Sequence, residues 1–105
     1  MDLSLPILDK EGEQVEARVN KLNDKGENEI SVKKFFFKDG LIQALLKEEE
    51  YNLKEEEEVN ERFDLFMKIK DEEQIEFTEE EKVLLKKLLI EKFDVLVCGQ
   101  IFKQF

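Results

Sequence analysis

The side chains able to do chemistry in this chain are few: one thiol on Cys98, hydroxyls on Ser4, Ser31, Tyr51 and Thr78, and 27 carboxylates. There is no histidine. Without an imidazole, Ser/His/Asp and Cys/His nucleophilic sites cannot be assembled, and the usual zinc-ligand sets lose a member. Cys98 stands among Val97, Gly99 and Ile101, the setting of a buried thiol rather than an activated one, and it has no disulfide partner within the chain. Gly12, Gly26, Gly40 and Gly99 are too scattered to form a phosphate-cradling loop.

The segment Asn23 to Ser31 superficially resembles a calcium loop. Setting Ile30 at the eighth loop position places Asn23 first, Lys25 third and Lys34 twelfth, so two required oxygen ligands become ammonium groups. The many acids read as a solvated charged face, because no polar residue stands isolated within an apolar stripe as a perturbed catalytic acid often would. The expectation is no catalytic, cofactor-binding or metal site, and hence no enzyme.

The elements that would position these residues divide into two parts. Residues 1–30 hold two of the four glycines and the only proline, and their apolar residues alternate between turn signals. Leu5 to Leu8, the turn Asp9-Lys10-Glu11-Gly12, and Gln14 to Val19 predict a β-hairpin with Val15, Ala17 and Val19 on one face; Asn23 to Asn28 reads as an exposed loop. Residues 31–105 read as helical. Ser31 can cap a helix carrying Val32, Phe35, Phe36, Leu41, Ile42, Leu45 and Leu46. A strand over Ile30 to Phe37 is the competing reading, given the β propensity of three successive phenylalanines.

Further on, Asn52 and Glu55 form a capping pair for a helix from about Leu53 to Lys70, with Val59, Phe63, Phe66 and Met67 as its buried stripe. The run Glu55 to Glu58 then complements the positive end of the helix dipole. Ile75 and Phe77 form an extended link able to pair with an N-terminal strand. Thr78 to Glu81 is a second capping box, opening a helix in which Leu84, Leu85, Leu88 and Leu89 are joined by Val83, Ile90 and Phe93, so that it should be the most buried element. Asp94 can cap a last helix lined by Val97, Ile101, Phe102 and Phe105, and Gly99 can mark a close backbone approach. The fold class is therefore α+β and predominantly helical: one domain over 1–105, an N-terminal hairpin, three to four helices and one short extended link.

The chain of 105 residues has 41% hydrophobic and 42% charged residues and a formal net charge of −10. That charge opposes phosphate backbones and anionic lipid, so direct nucleic-acid binding and membrane association are not expected. No membrane-length apolar run is present, and the N-terminus lacks a signal-peptide pattern; a cytoplasmic location is the expectation.

Leu5-Pro6-Ile7-Leu8-Asp9-Lys10-Glu11-Gly12, Leu41-Ile42-Gln43-Ala44-Leu45-Leu46, Ile75 to Glu81 leading into Leu84 to Phe93, and Val97-Cys98-Gly99-Gln100-Ile101 together resemble a group of short phage and prophage proteins. Members of that group open with a similar hairpin, carry a helix ending "NALL" and finish on a "VVGQV"-type helix. The resemblance covers most of the chain and implies a viral or prophage context. It transfers no functional residue, and the chain departs from the pattern at Asp94 and Val95, where a proline would precede the last helix.

The function expected is noncatalytic binding of a protein, as an assembly adaptor or a modulator of a host factor, through apolar anchors at Val97, Ile101, Phe102 and Phe105. Phe102 and Phe105 could instead belong to the core, the commoner fate of large apolar residues. Two other readings stand beside it: an acidic mimic blocking a DNA- or RNA-binding protein with Glu48 to Glu50, Glu55 to Glu58 and Glu79 to Glu81, and a structural homodimer joined by the last helix.

Overall fold

The computed structural model describes residues 1–46 and 56–105, apart from the side chains of Ala17, Val19 and Lys21. Two strands, β1 (Glu16–Leu22) and β2 (Asn28–Lys34), precede four helices: α1 (Phe37–Leu45), α2 (Glu56–Ile69), α3 (Glu79–Lys92) and α4 (Val95–Phe102). The fold is α+β and mostly helical.

The two glycine turns are built alike. Asp9 and Asn23 each use a side-chain oxygen to accept from the N–H groups two and four residues on, at 2.9 and 3.0 Å in both cases. Each turn closes through a backbone bond, Asp9 N–H to Glu13 and Asn23 N–H to Glu27. Gly12 (φ 80°) and Gly26 (φ 75°) supply the left-handed residue that the geometry demands. Around Asp9 to Gly12 the expected hairpin shrinks to a bridge between Leu8 and Gln14. Around Asn23 to Glu27 the segment expected as a loop is the turn of the main hairpin, pairing Glu16 with Lys34 through to Leu22 with Asn28.

The helix expected to begin at Ser31 is corrected. Ile30 and Val32 lie in β2, and the period-two pattern continues as Phe35 and Phe37 turn inward while Phe36 turns out. Helix starts only at Phe37, with the Asp39 carboxylate accepting from the Phe36 N–H at 2.9 Å. The boundary between extended and helical parts thus lies near residue 36 rather than 30.

The N-terminal segment ties these parts together. Leu3 N–H bonds the Glu73 carbonyl and Ile75 N–H bonds the Met1 carbonyl, so the expected extended link does pair with the N-terminus. Ile7, Val15 and Phe35 close a three-way ring of backbone bonds: Ile7 donates to Phe35, Phe35 to Val15, and Val15 to Ile7. The core gathers Leu3, Ile7, Leu41, Ile69, Leu85, Leu88, Leu89 and Ile101, each essentially sealed from water.

The Thr78–Glu81 capping box forms in full, and Asp94 caps α4 by accepting from the Val97 N–H at 3.1 Å. The Asn52–Glu55 pair lies outside the described residues. Gly99 has open space around it, contrary to expectation; the close approach is at Gly40, where an added Cβ would lie 3.1 Å from Ile7 Cδ1 and 3.4 Å from Ile101 Cδ1.

Candidate interaction surfaces

Each proposed anchor in α4 has a different fate. Ile101 is fully enclosed and drops out as a surface residue, while Val97, Phe102 and Phe105 are half-buried against the core. The last turn folds back through a bond from the Phe105 N–H to the Phe102 carbonyl, bringing their rings 6.0 Å apart and nearly parallel. Phe105 also meets the face or edge of Phe77 at 5.9 Å in a T-shaped contact. The Lys86 ammonium lies 5.9 Å from Phe102 and 5.8 Å from Phe105, within cation–π range of both. These phenylalanines therefore complete an aromatic corner rather than standing free.

The thiol beside them is inert by its surroundings. Burial, and secondarily the nearby Asp94 carboxylate, pushes the Cys98 pKa up, and Sγ donates to the Leu89 carbonyl at 3.2 Å. Between α2 and α3, Lys68 and Glu81 pair at 2.8 Å over a groove bordered by Glu61, Asp64 and Glu80. Among the described residues no group of three or more Asp, Glu or Cys is placed to hold a metal ion.

The outstanding exposed surface is on α2. Its expected buried stripe is corrected: Val59, Phe63 and Met67 face solvent, and only Phe66 is partly covered. The helix instead buries Arg62, Leu65 and Ile69, with the Arg62 guanidinium 2.6 Å from Glu58 one turn earlier. A buried arginine contributes a long carbon stem to packing, so Arg62 lets the less apolar-looking side of α2 face inward. On α3, Leu85, Leu88 and Leu89 are buried as expected, but Val83 and Ile90 are exposed. Both helices thus carry more apolar surface than one small core encloses.

No family model matches the chain, and neither characterised proteins nor solved structures give a significant match. No helix among the described residues is long and apolar enough to cross a membrane.

Proposed function

We propose that this chain is a noncatalytic phage or prophage protein that binds a protein partner, as an assembly adaptor or host-factor modulator, with the outer stripe of α2 as its principal contact. The observation that supports this reading is the exposure of Val59, Phe63 and Met67 at i, i+4 and i+8. Amphipathic helices that lie in a partner's apolar groove present anchors at this kind of spacing, and Phe and Met suit such contacts by area and adaptability. The half-buried rim of Val97, Phe102 and Phe105 forms a secondary contact.

Affinity capture of the tagged chain from its host or from infected cells, at low and high salt, tests this. A protein retained at high salt by the parent chain but lost on Phe63→Ser, with folding unchanged, supports the reading. Retention of all partners by Phe63→Ser and Met67→Ser variants removes α2 from the role.

The carboxylates bordering the α2–α3 groove favour one second reading, mimicry of a nucleic-acid backbone. That reading requires a nucleic-acid-binding protein captured at low salt and released at high salt.

A further inference from the structure

We infer that the outer edge of β2 is a pairing site for β2 of a second copy of this chain, joining two hairpins into one four-stranded antiparallel sheet. The first support is the ribbon's exposure: Leu22, Ile30 and Val32 are 72%, 65% and 57% accessible. Paired residues of an antiparallel ladder share a face, and the register Arg18–Val32, Asn20–Ile30 and Leu22–Asn28 puts all three on the same one. An isolated two-stranded ribbon is at best marginal in water, and an open edge beside an apolar face is a template for another strand.

The second support is the direction of the backbone groups. Phe35 N–H bonds the Val15 carbonyl and Asn23 N–H bonds the Glu27 carbonyl, at 2.9 Å each, so the hydrogen-bonded pairs of the ribbon are the odd-numbered ones. Glu29, Ser31 and Lys33 therefore turn their backbone N–H and C=O toward β1. Asn28, Ile30, Val32 and Lys34 turn theirs outward, and the sheet among the described residues contains only β1 and β2.

The third support selects the occupant. A two-fold axis through Ser31 aligns β2 with its copy so that outward-facing residues meet outward-facing residues: Ile30 opposite Val32 and Asn28 opposite Lys34. On the other face it sets Glu29 opposite Lys33. The strand Asn28-Glu29-Ile30-Ser31-Val32-Lys33-Lys34 is thus complementary to itself in apolar pairs and in charge. Shifting the axis to Val32 places Ile30 against Lys34. The β1 edge, paired about its centre, sets Val19 against its own copy but Glu16 against Leu22 and Arg18 against Asn20, neither of them an apolar or ionic pair.

Charge distribution permits the approach. Residues 16–34 carry five basic and four acidic side chains, whereas the rest of the chain carries twelve and twenty-three. Pairing through the ribbon brings together the near-neutral part of two acidic molecules and keeps their repelling bodies apart. Lys33 also lies 3.4 Å from Asp39 of its own chain, but the lysine side chain is 64% accessible and free to exchange partners.

Sedimentation equilibrium of the full-length chain over a concentration series tests the inference, with thermal melting of each variant confirming its fold. The parent is expected to dimerise, Glu29→Lys to weaken dimerisation by roughly ten-fold or more, and Glu29→Lys with Lys33→Glu to restore it, as directly opposed like and opposite charges dictate. In a second pair, Ile30→Lys with Val32→Lys abolishes dimers, while Ile30→Glu with Val32→Lys retains them at low salt. A parent chain that stays monomeric throughout the series overturns the inference. So does a dimer indifferent to all four variants, which would lie on another surface, or a monomer whose ribbon pairs with a strand of a different protein.

Discussion

The Gln100 side chain holds both backbone groups of Leu8: the Leu8 N–H donates to Oε1 and Nε2 donates to the Leu8 carbonyl, each at 2.8 Å. One amide thereby acts as a strand partner to a residue 92 positions away, fixing α4 against the N-terminal segment. Nε2 also donates to the Leu96 carbonyl one turn earlier, which orients the amide.

Gln100→Leu is expected to destabilise the fold by only about 0.5–1.5 kcal/mol, the net worth of an intramolecular hydrogen bond, because Leu8 is exposed and water can take over its freed donor and acceptor. Gln100→Glu should cost more at neutral pH, since its carboxylate accepts from the N–H but repels the carbonyl. Urea unfolding midpoints with unchanged slopes would establish both values.

At Gly40 two effects compete. Alanine improves helix propensity by about 1 kcal/mol, but its Cβ presses on Ile7 and Ile101, and overpacking a sealed core costs about 1–3 kcal/mol. Because both isoleucines are fully buried, crowding should win: Gly40→Ala slightly lowers the melting temperature, and Gly40→Val lowers it several times further.

Acid should loosen the α2–α3 junction. Partial burial alone would raise the Glu81 pKa, but hydrogen bonds from Lys68 and Thr78 and the Lys68 charge outweigh it and hold the carboxyl below its ordinary 4.5. A depressed folded-state pKa means that the unfolded chain takes up the proton first. The associated stability is therefore complete above the ordinary carboxylate value and is lost as pH falls through the depressed one. Unfolding midpoints measured from neutral to acid pH should fall less steeply for Lys68→Met than for the parent.

The two sides of α2 should separate cleanly by mutation. Leu65→Ala removes a buried side chain and should cost about 2–5 kcal/mol. Phe63→Ser and Met67→Ser touch exposed positions and should change stability by no more than about 0.5 kcal/mol while abolishing partner capture. Equal destabilisation by all three would place the stripe in the core instead.

Local chemistry was legible without coordinates. Asp9 to Gly12, the capping box at Thr78 and Glu81, and the Asp94 cap act through groups within a few residues, so their types and spacing suffice. The mostly helical α+β class and the burial of Cys98 followed from the same short-range patterns. Which of two apolar stripes α2 turns inward did not, because a helical wheel ranks faces by their own residues, whereas burial depends on the fit to a neighbouring surface. The same holds for Ser31, whose capping tendency yields to the ladder that β2 forms with residues 16–22. Only the tertiary structure could bring Gln100 to Leu8 and Gly40 against Ile7 and Ile101, since both depend on segments distant in sequence meeting at atomic contact.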